Sequence, residues 1–97
     1  MSQFLDGYQT HAMRVQKALG ITDDQYNLMR RYVSALQVVY EEIQQFTGED
    51  EVFSKRIEDF AKELNLFVFY RFTSINVQVY LSKEKIDETN FESGQLI

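Results

Sequence analysis

The chain has 97 residues, of which 44% are hydrophobic and 14% are aromatic, and its formal net charge is −5 at pH 7. This composition is far from that of disordered chains, and the length predicts a single small domain with one core. The negative charge argues against nucleic acids and anionic membranes as partners, because both attract Lys and Arg.

The sequence contains no cysteine, so it offers neither a disulfide framework nor a thiolate nucleophile. No stretch approaches the roughly twenty apolar residues that cross a bilayer, and the N-terminus lacks the basic start and apolar run of a signal peptide. We therefore expect a soluble protein in the reducing cytoplasm.

A first helix is predicted by apolar residues at helical spacing, Leu5, Tyr8, Ala12, Val15 and Leu19. Gly20 is predicted to end it, because glycine adopts the left-handed conformation without a Cβ clash. Thr22 and Gln25 have the spacing of a capping box, which predicts that a second helix starts there.

The second helix has a stripe of apolar residues at alternating steps of three and four, namely Met29, Tyr32, Leu36, Val39, Ile43 and Phe46. Further apolar residues flank this stripe, so the middle turns are apolar around most of their circumference. Such a helix is either the centre of the domain or part of a subunit interface.

Gly48 is predicted to end the second helix, and the acidic residues that follow are predicted to open a third at the positive end of its dipole. The third helix is amphipathic, with apolar residues at Phe53, Ile57, Phe60 and Leu64.

After Asn65 the apolar period changes to two, which predicts two antiparallel strands. One face of the first strand carries Leu66, Val68, Tyr70 and Phe72, and the matching face of the second carries Ile75, Val77, Val79 and Leu81. A hairpin turn is predicted at Thr73 and Ser74.

The fold class is therefore α+β, with three helices followed by an antiparallel β-hairpin, in a domain of residues 1–82. Residues 83–97 are mostly polar and are predicted to form a flexible tail.

Catalytic and metal-binding patterns are scarce in this sequence. His11 is the only histidine, and no acidic residue lies three or four positions from it, so it lacks the usual metal-ligand spacing. The glycines do not form a phosphate-binding motif. We therefore expect no enzymatic activity, no metal and no cofactor.

The negative charge is concentrated in residues 32–65, which carry eight acidic and three basic groups. The candidate acidic surface consists of Glu41, Glu42, Glu49, Asp50, Glu51, Glu58 and Asp59. Carboxylates spaced along a helical surface are typical of inhibitors that mimic nucleic acid. The simpler interpretation is that they are ordinary solvated helix faces.

The aromatic residues give a stronger indication of function. A hairpin that packs one face on helices leaves the other uncovered, and Phe67, Phe69 and Tyr80 are predicted on that other face. One interpretation is that the third helix or the tail, through Ile86 and Phe91, covers them. The other is a protein interface, for which these three residues and Tyr40 of the second helix are the candidates.

The function predicted from the sequence is thus a non-enzymatic protein-binding module, regulatory, inhibitory or adaptor-like, with another protein or a second copy of itself as partner. The alternative is a winged-helix DNA-binding transcriptional regulator, because three helices and a hairpin occur in that order there. The mixed charge of the third helix argues against this alternative.

Overall fold

The computed structural model describes residues 10–43 and 48–97, without the side chains of residue 43 and residues 48–50. Predictions for Leu5, Tyr8 and Phe46 and for the side chains of Ile43, Glu49 and Asp50 therefore lie outside the described residues. The helices are α1 (His11–Leu19), α2 (Asp23–Ile43) and α3 (Gly48–Glu63). The strands are β1 (Phe67–Phe72), β2 (Val77–Ser82) and β3 (Gln95–Leu96).

The junction between α1 and α2 has the predicted caps. Gly20 adopts φ 69°, and its N–H donates to the Gln16 carbonyl at 2.8 Å. The Gln25 N–H donates to Thr22 Oγ1 at 3.1 Å, and the Thr22 N–H donates to Gln25 Oε1 at 2.9 Å. The capping box is therefore confirmed, and it fixes where α2 begins.

Helix α2 supplies the largest share of the core. Met29, Val33 and Leu36 are fully buried, and the helix packs against α1, α3 and β2. Val38, on its outer side, is 55% exposed and is left uncovered by the described residues. The apolar belt predicted around α2 therefore has one face in the core and one toward solvent.

Helix α3 is amphipathic as predicted, with Ile57 fully buried and Phe60 packed against the core. It ends where Asn65 adopts φ 59° and the Leu66 N–H donates to the Ala61 carbonyl at 2.8 Å. This left-handed residue turns the chain from the helix into β1.

The three strands form one antiparallel sheet in the order β1-β2-β3. Val77, Val79 and Leu81 of β2 are fully buried, and they lie on the inner face, toward the helices. The predicted alternation of faces is confirmed by the register, which pairs Val68 with Leu81 and Tyr70 with Val79.

The hairpin turn lies slightly later than predicted. The Thr73 N–H donates to the Asn76 carbonyl at 2.8 Å, so Ser74 and Ile75 are the central residues of the turn. Ile75 was predicted to face inward but is 72% exposed. The physical reason is that Thr73 Oγ1 accepts from the Ile75 and Asn76 N–H groups and fixes these residues in the turn.

Residues 83–97 differ from the predicted loose tail. They carry β3, which pairs with β2 and makes the sheet three-stranded instead of a hairpin. Ile86 and Ile97 are each only 8% exposed, and the Ile97 N–H donates to the Val79 carbonyl at 2.9 Å. Burial of these two apolar side chains brings the segment back onto the sheet, so the predicted boundary at residue 82 divides the sheet.

Candidate protein-interaction surface

The outer face of the sheet, opposite the helices, carries most of the predicted interface residues. Directly paired residues of an antiparallel sheet share a face. Phe69 pairs with Tyr80, and Tyr80 pairs with Leu96, so these side chains form a row across the three strands. Phe67 precedes this row on β1, and Arg71 follows it opposite Gln78.

Phe91, from a short 3-10 turn at Phe91–Ser93, lies over this row. Its ring stacks on that of Phe69 with centroids 5.1 Å apart and planes 12° apart. It meets the Tyr80 ring edge-on, also at 5.1 Å. The predicted covering of Phe69 and Tyr80 by the chain's own C-terminal segment is therefore what the structure has, and both side chains are half-buried.

Arg71 extends this aromatic cluster. Its guanidinium carbon lies 5.7 Å from the centroid of the Phe91 ring, and its Nη1 donates to Gln78 Oε1 at 2.9 Å. Arg71 is the only charged residue of β1. The outer face thus presents one cation among aromatic rings, and the Phe91 ring holds the guanidinium in place.

Part of the outer face stays open to solvent. Phe67 is 47% exposed and Leu96 is 36% exposed. Phe67 precedes the row on β1, and Leu96 is the end of the row, beyond the Phe69 and Tyr80 rings that Phe91 contacts. Of the three aromatic residues predicted as an interface, Phe67 is therefore the one that offers the most surface to another molecule.

A network of hydrogen bonds in residues 85–90 positions Phe91. Asp87 Oδ1 accepts from the Thr89 hydroxyl at 2.6 Å and from the Thr89 N–H at 2.9 Å. Asn90 Oδ1 accepts from the Asp87 N–H, and Asn90 Nδ2 donates to the Lys85 carbonyl. The Thr89 hydroxyl, followed by its N–H, holds the pKa of the Asp87 carboxyl below the usual range.

This turn should respond to acid. Because the folded pKa of Asp87 lies below its unfolded value, the carboxylate stabilises the turn above the unfolded pKa, and the effect is lost as pH falls through the folded pKa. Thr89→Ala should raise the Asp87 midpoint toward its ordinary value, whereas Thr89→Ser, which keeps the hydroxyl, should not. A carbon-detected NMR titration measures these midpoints. Equal midpoints for wild type and Thr89→Ala would contradict the assigned role of the hydroxyl.

A cleft of about 390 Å³ runs beside β1. Its lining comprises four consecutive β1 residues and two residues of the C-terminal segment, namely Phe69, Tyr70, Arg71, Phe72, Glu88 and Phe91. Consecutive strand residues point to opposite faces, and no β2 residue contributes. The cleft therefore follows the edge of β1 that faces away from β2.

Tyr70 connects this strand to α3. Its hydroxyl donates to Glu58 Oε2 at 2.9 Å and lies 3.1 Å from the Ser54 carbonyl oxygen. Burial, with Glu58 adding to it, raises the pKa of Tyr70 far above its ordinary value. The phenol therefore stays protonated and acts as a fixed hydrogen-bond donor between strand and helix.

Tyr40 lies elsewhere. It is only 8% exposed, its ring centroid is 5.6 Å from that of Phe72, and its hydroxyl lies 3.4 Å from the Thr73 carbonyl oxygen. The structure thus places Tyr40 in the core beneath the hairpin turn, apart from the other predicted interface residues. Its place beside the apolar stripe of α2 explains this burial.

The described members of the acidic surface are all exposed and lie at two places, Glu41 and Glu42 at the end of α2 and Glu51, Glu58 and Asp59 along α3. Two of the α3 carboxylates have partners within the chain. Asp59 forms an ion pair with Lys55 at 3.2 Å, and Glu58 accepts from Tyr70. These contacts favour the interpretation of ordinary solvated helix faces.

His11 interacts with the sheet. Its Nε2 lies 2.7 Å from the Leu96 carbonyl oxygen, so this nitrogen carries the proton and donates.

Within residues 10–43 and 48–97, no group of three or more His, Cys, Asp or Glu side chains is arranged to hold a metal ion. Likewise, none of the described helices combines the length and apolar character that a membrane crossing requires.

Sequence reasoning gave Phe91 only as a possible cover and gave no role to Arg71 or Leu96. Leu96 belongs to a strand of two residues, which is too short to show a period. No family model, curated protein or solved structure matches this chain.

Proposed function

We propose that this protein acts by binding another protein, without catalysis, through the outer face of its sheet. The observation that carries the proposal is the half-exposed Phe67 beside a contacting cluster of Phe69, Phe91, Tyr80 and Arg71. Aromatic residues and arginine are the types that dominate binding energy at protein interfaces.

The cluster favours binding for a physical reason. Phe91 and Arg71 hold the central rings in one arrangement before any partner arrives. A partner therefore gains apolar contact with Phe67 and Leu96 without the entropy loss of ordering those central side chains. A regulatory, inhibitory or adaptor-like role requires such binding and no catalysis.

Phe67→Thr tests the proposal, because threonine keeps the strand propensity and removes the ring. Ile75→Thr is the matched control, since Ile75 is more exposed but lies at the hairpin tip, away from the cluster. In pull-downs from the native host, Phe67→Thr should weaken retention of the bound protein at least about tenfold, as hot-spot truncations do. Ile75→Thr should retain it.

The stability of both variants should stay within about 0.5 kcal/mol of the wild type, because Phe67 is 47% exposed and Ile75 is 72% exposed. Circular dichroism with urea unfolding measures this. Equal retention by wild type and folded Phe67→Thr would contradict the proposal.

The other functions predicted from the sequence stay predictions. Asp59 forms an ion pair with Lys55, and Glu58 accepts from the Tyr70 hydroxyl. These contacts within the chain do not favour a nucleic-acid mimic. For the winged-helix alternative, exposed Lys55, Arg56 and Lys62 of α3 lie among exposed acidic residues. That mixture does not form the basic surface that phosphate contacts require.

A further inference from the structure

The two edges of the sheet differ in how they are protected. At the β3 side, His11 Nε2 donates to the Leu96 carbonyl at 2.7 Å, and Gln37 Nε2 donates to the Val77 carbonyl at 3.1 Å. Helix side chains thus satisfy these carbonyls. Among the described residues, no strand pairs with the outer edge of β1.

The backbone groups at the β1 edge follow from the register. Thr73 donates to Asn76, so in the alternating antiparallel pattern the odd-numbered residues of β1 make the hydrogen bonds to β2. The bond from Ile97 to Val79 agrees, because it directs the odd residues of β2 toward β3. The N–H and C=O groups of Val68 and Tyr70 therefore point away from β2, in the plane of the sheet, toward the outer edge of β1.

In the part of the chain that the structure describes, this edge carries few of the features that usually prevent strand addition. Natural edge strands are protected by lysines, prolines, bulges or very short length. Strand β1 has six residues, no proline and a single charge, Arg71. The cleft of about 390 Å³ runs along it and leaves space beside the backbone.

We propose that β1 pairs antiparallel with β1 of a second copy of this chain, with Phe69 on the two-fold axis, so that two sheets join into one of six strands. The inference deepens the proposed function and rests on it, since the second copy pairs with the β1 edge and contacts Phe67 of the outer face. In this register Val68 of each copy lies opposite Tyr70 of the other. Each of these two pairs exchanges two backbone hydrogen bonds, so the strands are joined by four.

The same register explains why a second copy fits. Directly opposite residues share a face, so Arg71 of each copy lies opposite Phe67 of the other. The half-exposed Phe67 ring of one copy then lies beside the Arg71 guanidinium of the other. Arg71 makes the same kind of cation–ring contact with Phe91 of its own chain. The two arginines are four residues apart along the ladder and do not oppose each other.

The dimer should be weak and dependent on concentration. A single strand pair buries less than the roughly 1,200 Å² of stable interfaces, so we expect a dissociation constant on the order of micromolar. In sedimentation velocity of the purified chain, the mass should rise from one copy toward two as concentration increases from about 5 to about 500 μM, the range that brackets such a constant. A single-copy mass throughout would overturn the proposal.

Cysteine crosslinking tests the register, because the chain has no native cysteine. On the two-fold axis, Phe69 forms a non-hydrogen-bonded pair with its copy, with Cα atoms about 4.5 Å apart, within the disulfide range. Phe69→Cys should therefore form disulfide dimers under mild oxidation. Gln78→Cys is the matched control, since it lies on the same face but one strand farther from the axis. Phe69→Cys crosslinking no faster than Gln78→Cys would overturn the register.

Val68→Pro removes one outward N–H without removing a bond to β2. We expect it to fold, by circular dichroism, and to lose the concentration-dependent rise in mass. A folded Val68→Pro variant that still dimerises would overturn the proposal. If this variant does not fold, the comparison of Phe69→Cys with Gln78→Cys decides.

These experiments use the purified chain, so a monomeric wild type rejects self-pairing alone. The Phe67→Thr pull-down separately decides the proposed function.

Discussion

Leu36→Ala should lower the free energy of unfolding by about 2 to 5 kcal/mol, the range of buried leucine truncations. Leu36 is fully buried at the middle of α2, where the helix packs between α3 and β2. Removing its side-chain methyl groups leaves a cavity that rigid neighbours on two elements cannot fill. Urea unfolding followed by circular dichroism measures the change.

Val38→Ala is the control on the same helix. Val38 is 55% exposed, so its truncation should change stability by no more than about 0.5 kcal/mol. If Leu36→Ala lowers stability by less than about 1 kcal/mol, α2 is not the centre of the core.

Phe91→Ala should lower the free energy of unfolding by about 1 to 3 kcal/mol, less than the 3 to 5 kcal/mol of a fully buried phenylalanine, because this ring is half-buried. The variant loses the stacking on Phe69, the edge contact with Tyr80 and the cation contact with Arg71. Urea unfolding measures the loss. Glu92→Ala, at an exposed neighbouring position in the same turn, should change stability little.

This variant also separates covering from binding. Without Phe91, the rings of Phe69 and Tyr80 become accessible, so binding of a hydrophobic fluorescent dye should increase. Unchanged stability together with unchanged dye binding would show that Phe91 does not cover the sheet in solution.

The parts of the fold that follow from local chemistry could be predicted from the sequence. The Thr22 and Gln25 capping box and Gly20 act over a few residues, and the structure has them as expected. The alternation of β2 identified its buried face, because Asn76 and Gln78 on the opposite side prevent a shift of register.

The parts that depend on distant contacts could not be predicted in the same way. A strand of two residues, Gln95–Leu96, is too short to show a period, and its existence depends on pairing with β2. Ile86 and Phe91 are isolated among polar residues, so a pattern of neighbours could not reveal that one is buried and the other covers Phe69. Tyr40 was assigned to an interface because burial within a chain and burial between chains select the same residue types.

The bond from His11 to Leu96 has a consequence for the order of folding. It joins residues 85 positions apart, so α1 and β3 gain their mutual contact only after the intervening chain has closed a long loop. The β1-β2 hairpin closes over four residues and can form early. We therefore expect the contact between the first described helix and the last strand to form after the hairpin.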